Sequence, residues 1–282
     1  MYETYWRLRQ KPFENTPDPR FIYYSQRHQE ALSRMLYVVK ERKGAAILTG
    51  EYGSGKTLLS RVLIEELSSE DYQTALIFNP RLPSLELIKE IIYQLGADTS
   101  SLLSKTDLLH CLNEILYKNR NENKNTVIVV DEAQAIPGEG GFEELRLLLN
   151  FQLNDNFLLT LILLGQPELK EKISNLPQLK QRLAARYHLT ALSEEETNQY
   201  IRHRLEVVGL KEQIFLETAF NEIYRFSGGI PRRINNICDM ALLVGCAEGL
   251  EKIDKDAVQE VAEDLGEIPV EKEEKIEAVI NG

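Results

Sequence analysis

Apolar and polar positions fall into two regimes along the 282 residues. In the first, short apolar runs alternate with stretches of helical spacing. Ala45-Ala46-Ile47-Leu48-Thr49, Gln73–Phe78, Thr126–Val130 and Phe157–Leu164 are runs of strand length. The most apolar of them carry no polar alternation and read as strands buried on both faces. Before and between them, apolar residues recur every three or four positions over 26–43, 58–67, 84–95, 105–120 and 142–151, which predicts helices. Gly138–Gly141 reads as a flexible turn. Gln178–Arg186 reads as a basic helix entering a last strand, Tyr187-His188-Leu189. Five short strands with helices between them predict an α/β fold, a five-stranded parallel sheet in a three-layer sandwich. The second regime begins at Ser193, an N-cap with Glu196 three residues on, the capping-box spacing. Only helical patterns come after it, over 194–207, 215–226, 231–248 and 254–264. The expected organisation is an α/β domain over 1–191 with a loop-rich approach over 1–25, a small all-helical lid domain over 192–266, and an acidic, mobile tail over 267–282.

Composition narrows the class. With 43% hydrophobic and 27% charged residues the chain is globular in type. No apolar run nears the roughly 20 residues of a membrane helix, and no secretory signal opens it. Cys111, Cys238 and Cys246 are scattered and read as reduced, in a cytoplasmic protein. The four histidines form no metal-ligand spacing. Net charge is −11. Residues 1–50 carry nine Lys/Arg against five Asp/Glu, and 248–282 carry four against twelve. Such a balance argues against general recognition of a nucleic-acid backbone, which needs a field of basic side chains.

The chemistry centres on Gly50-Glu51-Tyr52-Gly53-Ser54-Gly55-Lys56-Thr57, which fits the phosphate-loop pattern between a strand and a helix that starts around Leu58. Glycines let successive backbone N–H groups curl round a phosphate, and the helix points its positive end at the same anion. Lys56 would reach the β- and γ-phosphates of a bound nucleotide, and Thr57 would offer its hydroxyl to Mg²⁺. The strand ending at Val130 delivers Asp131 and Glu132. Asp131 would hold Mg²⁺, and Glu132 would polarise the attacking water, which favours hydrolysis over transfer to a metabolite. Gln166, after the strand Phe157–Leu164, would touch the γ-phosphate or that water. Arg182 and Arg186, four apart, are candidate arginine fingers for a neighbouring subunit's nucleotide. Pro231 suits a first helical position and puts Arg232 and Arg233 in a first turn, where a cation opposes the helix dipole. Arg232 is therefore a candidate nucleotide contact from the lid. Phe21 and Tyr23 either form an apolar slot for adenine or simply join the core.

In this order, the phosphate loop, Asp-Glu strand end, polar strand tip, trans-acting arginine and Gly-Ile-Pro-Arg resemble an AAA+ ATPase. Finer segments are similar to the ExeA/GspA-like (general secretion pathway protein A) group. They are Leu8-Arg9-Gln10-Lys11-Pro12-Phe13, Thr16–Phe21, Asp131-Glu132-Ala133-Gln134, Leu164–Leu169 and Gln181–Leu189. The resemblance implies an ATP- and Mg²⁺-dependent ATPase that forms a homo-oligomer with a shared nucleotide site. It would be cytoplasmic, recruited to the inner membrane through a partner, and would drive assembly of a secretin or pilus machine. Members of that group commonly continue into a transmembrane segment and a peptidoglycan-binding domain, neither of which is expected within these 282 residues. The module also resembles helper ATPases of transposition systems (TniB-, TnsC- and MuB-like), which implies the alternative of a DNA-bound helper that recruits a transposase.

Overall fold

A computed structural model describes residues 2–154, 156–210 and 212–270. The chain divides into two compact units. One holds residues 26–52 and 56–189, the other 1–25, 53–55 and the residues from 190 onward.

The N-terminal segment opens with a short helix, α1 (Tyr2–Tyr5). The α/β unit comes next, as α2 (Gln26–Lys40), β1 (Ala45–Gly50), α3 (Lys56–Glu66), β2 (Tyr72–Ile77), α4 (Ser84–Gln94) and α5 (Lys105–Asn121). It continues with β3 (Asn125–Val130), α6 (Gly138–Leu148), β4 (Leu159–Gly165), α7 (Pro167–Ser174), α8 (Pro177–Lys180) and β5 (Leu183–Leu189). All pairings are parallel, in the order β2-β3-β4-β1-β5. The three inner strands are buried at every position, whereas β5 alternates between half-buried and exposed. Leu87, Ile88, Ile91 and Ile92 of α4, Leu108, Leu112 and Leu116 of α5, and Phe142 and Leu145 of α6 fill one continuous core with β2, β3 and β4. Each such side chain contributes about 1.5–3 kcal/mol by leaving water. The expected five-stranded parallel sandwich is what forms.

Three local expectations are corrected. The basic helix over Gln178–Arg186 does not exist, because α8 stops at Lys180 and Leu183–Leu189 pairs along β1 as the edge strand. The helix-favouring Leu-Ala-Ala-Arg run yields to sheet pairing, since tertiary context outweighs propensity. Arg182 and Arg186 therefore do not share a helical face. Gly138–Gly141 is the first turn of α6, not a flexible turn. A Cβ on Gly141 would lie 2.4 Å from Ile136 Cγ2, so that glycine serves a close approach. Helix α2 ends at Lys40 rather than 43, with Arg42 and Gly44 at positive φ beyond it.

The second unit contains α9 (Glu194–Val207), α10 (Glu217–Ser227), α11 (Pro231–Glu248) and α12 (Lys255–Asp264), close to the four expected helices. The Ser193 hydroxyl accepts from Glu196 N–H, and the Glu196 carboxylate accepts from Ser193 N–H at 3.0 Å, completing the capping box. Gly229 has φ +73°, and a Cβ there would lie 1.9 Å from the Leu192 carbonyl oxygen, so only glycine fits. Residues 1–25, expected with the α/β domain, instead join this unit. Tyr2, Trp6, Leu8, Phe13 and Phe21 sit in its core, and Trp6 Nε1 donates to the Leu242 carbonyl at 2.8 Å. Glu267, placed at the start of the acidic tail, pairs with Arg233 at 2.7 Å. Residues 271–282 of that tail lie outside the described residues. Among the described residues no helix is long and apolar enough to cross a membrane.

Candidate nucleotide site

The fully buried β1 delivers Gly50 and the loop beyond it. Gly53 (φ +80°) and Gly55 (φ +98°) take backbone conformations that residues with a Cβ rarely adopt. Ser54 is buried between them, and α3 starts at Lys56. Lys56 is only 5% exposed, and its Nζ donates to the Gly50 and Glu51 carbonyls at 2.8 Å each. Burial pushes this ammonium's pKa down, while the Glu132, Asp131, Glu51 and Glu168 carboxylates push it up. A buried lysine at a helix start above glycines at positive φ is a cradle for an anion. Tyr52 is 61% exposed and Leu58 half-buried.

Parallel strands end together, so the residues after β1, β3 and β4 converge at one edge of the sheet. Asp131 is 2% exposed and accepts from the Thr57 hydroxyl at 2.6 Å and from Glu132 N–H at 2.9 Å. Burial holds its carboxyl above the usual carboxylate range, against the Thr57 and Glu132 hydrogen bonds. A hydroxyl and a carboxylate in contact are two hard oxygen donors, which fits Mg²⁺ bound through one or two protein groups plus phosphates. No cluster of three or more His, Cys, Asp or Glu able to hold a metal occurs among the described residues. Glu132 has φ +50°, left-handed for a residue with a side chain, a conformation of about 1–3 kcal/mol in cost that surrounding contacts must maintain. Gln166, the N-cap of α7, points its Nε2 at Glu132 Oε2 at 3.3 Å. Gln134, which the sequence marks only as the last residue of the Asp-Glu-Ala-Gln segment, also donates its side-chain amide to Glu132 Oε2. Its alternation with Glu132 two positions earlier was the only available signal, and the turn over Ala133–Ala135 obscured it.

Arg182 donates to the Leu149 carbonyl and Asn150 Oδ1, both at 2.7 Å, and Arg186, exposed on β5, donates to the Lys180 carbonyl at 2.6 Å. Arg232 occupies the first turn of α11 as expected, after Pro231. Its backbone N–H donates to the Gly53 carbonyl at 3.2 Å, and a Cβ on Gly53 would lie 2.6 Å from Arg232 Cβ. Phe21 and Tyr23 take the packing alternative. Phe21 is buried beneath the Arg204 guanidinium, and Tyr23 stacks edge-on to Tyr200 and donates to Gln199 Oε1 at 2.6 Å.

Residues 39–173 match the AAA domain family. Over 258 residues the chain is 41% identical to general secretion pathway protein A of Aeromonas hydrophila, covering 90% of this chain and 46% of that protein. The chain thus spans about half the length of that relative. A potential ATP-binding protein of Staphylococcus aureus is 25% identical over 78% of this chain and 87% of its own length. The Aeropyrum pernix ORC1 protein, solved in complex with DNA, shares the fold with a TM-score of 0.69 at 16% identity, covering 92% of this chain and 69% of that one. The five-stranded parallel sheet, the phosphate loop ahead of Asp131-Glu132 and these likenesses together identify the chain as an AAA+ nucleotide-binding protein similar to general secretion pathway protein A.

Proposed function

We propose that this protein binds ATP with Mg²⁺, hydrolyses it as a homo-oligomer, and uses the cycle to drive assembly of a cell-envelope machine of the secretin or pilus type. The observation that carries the hydrolytic part is the convergence of Glu132 and Gln166 beside Thr57–Asp131, with Glu132 Oε2 held at 3.3 Å from Gln166 Nε2. Lys56 and the loop N–H groups bind and orient the phosphates. Asp131 and Thr57 would hold Mg²⁺, which supplies charge neutralisation on the phosphates. Glu132 takes the proton of the attacking water, and the amide of Gln166 orients that water or the γ-phosphate it attacks. Arg232, whose backbone N–H meets the Gly53 carbonyl at 3.2 Å, would contact the nucleotide beside the phosphate loop. Arg186 or Arg182 reaches a neighbouring subunit's nucleotide, a role that in either case requires exchange of its present carbonyl contact. The 41% identity to general secretion pathway protein A supports the envelope role. In that role the protein would work in the cytoplasm and reach the inner membrane through a partner. The DNA-bound transposition helper is disfavoured by the net charge of −11.

The test is Glu132→Gln. ATP turnover should fall by about 10²–10⁴-fold, the usual contribution of a general base, while binding of a non-hydrolysed analogue persists, and the variant should block secretin assembly in cells. Turnover at the wild-type rate would refute Glu132. ATP-dependent binding to duplex DNA at physiological salt, with normal secretin assembly, would transfer the role to the transposition reading. Mixing Arg186→Ala or Arg182→Ala with Glu132→Gln should restore part of the turnover if a finger acts in trans, and the variant that gives no rescue is not that finger.

A further inference from the structure

The hydrogen bonds beneath Glu132 point to a residue with a task of its own. The backbone N–H of Gln166 can only donate, so the Gln134 atom 3.1 Å from it is the carbonyl oxygen, Oε1. That contact settles the orientation of the Gln134 amide, since the two ends of a glutamine side chain are told apart by their partners. With Oε1 turned to the tip of β4, the NH₂ group faces Glu132, and Gln134 Nε2 donates to Glu132 Oε2. The second donor to Glu132, Gln166 Nε2 at 3.3 Å, reaches the same oxygen. Both bonds thus fall on Oε2, which leaves Oε1 as the oxygen to receive a proton.

Two features show that this arrangement is built in. Gly165, the last residue of β4, has no left-handed φ to explain it. A Cβ there would lie 2.6 Å from Gln134 Oε1 and 2.7 Å from Leu169 Cδ2, so the glycine makes room for the Gln134 side chain. Lys172 of α7 donates from Nζ to the Gln134 carbonyl at 2.6 Å and to the Ile136 carbonyl at 3.3 Å. The turn that carries Gln134 is therefore tied at its backbone to α7, the helix that Gln166 begins.

We propose that Gln134 is a positioning residue: its amide fixes the carboxylate of the left-handed Glu132 and locks it to the Gln166 backbone at the tip of β4. Any displacement of α7 is thereby passed to the carboxylate that faces the attacking water. The inference rests on the hydrolytic role given to Glu132, and its consequence is specific. Loss of the Gln134 amide changes turnover without changing how the nucleotide is held.

Turnover and affinity for a non-hydrolysed ATP analogue would be measured in Gln134→Leu, Gly165→Ala and the double variant. Each single substitution should lower kcat by about 10–100-fold, the range for residues that orient a reactive group, with analogue affinity within about 2-fold of wild type. The double variant should lose less than the product of the two singles, because both break the Gln134 contact and only the crowding of Leu169 is peculiar to Gly165→Ala. Gln134→Glu keeps an acceptor for Gln166 N–H but sets a carboxylate against Glu132. It should lower kcat as Gln134→Leu does while analogue affinity stays within about 2-fold of wild type, a split between turnover and binding that a merely structural role would not give. Wild-type kcat in both Gln134→Leu and Gln134→Glu would overturn the proposal, as would fully multiplicative losses in the double variant. If Gly165→Ala does not fold, the two Gln134 variants decide the matter. A readout without turnover separates this inference from the hydrolytic one. Side-chain amide protons of Gln134, followed by NMR in the nucleotide-free protein, should exchange slowly in wild type and fast in Glu132→Ala. Fast exchange in wild type would sink the clamp even if Glu132 proves catalytic. Slow exchange in a protein without ATP turnover would uphold the clamp while the hydrolytic reading failed.

Discussion

Each unit of the molecule buries a charged group among polar partners, and the two clusters are built on opposite terms. In the helical unit the guanidinium of Arg204 is 4% exposed, and its partners among the described residues are neutral. It donates to the carbonyls of Pro12 and Glu14, to Tyr200 Oη and to Asn235 Oδ1, and lies over the rings of Phe13, Phe21 and Tyr200. Asn235 Nδ2 passes the network on to Asn15 Oδ1 at 3.0 Å. The cation is satisfied by neutral acceptors and aromatic faces, which is how a buried charge becomes a structural tie. In the α/β unit Lys56, Asp131 and Glu132 gather at the sheet edge with one residue in a left-handed conformation and a carboxylate held against its solvation preference. There the charges are kept in tension, and that is where chemistry is to be expected. Burial of a charge does not separate the two cases. What separates them is whether its partners already complete it.

The largest effect should come from the tense cluster. Lys56→Ala removes the cation buried in the loop, so binding of ATP or a non-hydrolysed analogue should weaken by about 10²–10³-fold, or roughly 3–4 kcal/mol, the scale for truncating a buried charge partner. The folded state should hold or gain stability, because the desolvated ammonium goes with it. Isothermal titration and a melting curve on one sample check both. Wild-type affinity would mean that the loop does not hold phosphate through this lysine, and a large stability loss would place Lys56 on the structural side of the comparison.

The complementary substitution is Arg204→Met, which keeps the apolar stem but strands the acceptors around it. Unmatched buried polar groups cost about 1–3 kcal/mol each, with partial relief from water, so a loss of about 3 kcal/mol is expected. It should appear as faster hydrogen exchange in α9, α11 and residues 12–15, with exchange at β1, β3 and β4 unchanged. A variant as stable as wild type would show that the network ornaments a core already fixed by Phe13, Phe215 and Phe220.

The sequence disclosed one cluster more readily than the other, and the reason is range. Gly50–Thr57 is a local device whose glycines, lysine and hydroxyl are all within eight residues, and its flanking periodicities give the strand and helix. Asp131-Glu132 and Gln166 were legible because buried parallel strands are unbroken apolar runs, and the residues just past such a run lie at the sheet edge. The helices from 194 to 264 announced themselves through caps and glycine stops. Arg204, by contrast, closes on Pro12 and Glu14 from about 190 residues away, a distance that no periodicity encodes. The same reason hid the membership of residues 1–25, whose aromatic side chains are core only in the presence of α9 to α11. Leu183–Arg186 reads as helix in the sequence because alternation on an edge strand is weak and its alanines favour helix, so only pairing with β1 decides. Gln134 escaped because its task is defined by a backbone N–H of another strand end.

The smallest expected effect is the pH response, and it should differ in sign between the two units. Asp131 has a folded pKa raised by burial. Its stability contribution is therefore full below the unfolded carboxylate value near 3.9 and is lost as pH rises through the folded value. His203, half-buried beside Tyr23 in the helical unit, has its pKa lowered by burial first of all. Its contribution is present above the unfolded value near 6.5 and is lost as pH falls through the folded one. Asp131→Asn should therefore melt slightly above wild type at pH 7–8, with the gap closing as the pH drops and the wild-type carboxyl takes up its proton. His203→Gln should match wild type above pH 7 and exceed it increasingly as the pH falls below about 6.5. Melting temperatures of the three proteins from pH 4 to 8 measure both slopes. Affinity for Mg²⁺–ATP adds the functional half of the same argument. A proton on Asp131 competes with the metal, so affinity should decline with acid before ordinary carboxylates titrate, and Asp131→Asn should lose that dependence together with most of the affinity. A gap for Asp131→Asn that is flat with pH, or of opposite sign, would show that the Thr57 and Glu132 hydrogen bonds already complete this carboxylate as fully as the carbonyls complete Arg204, and the contrast between the two clusters would then narrow to Glu132 alone.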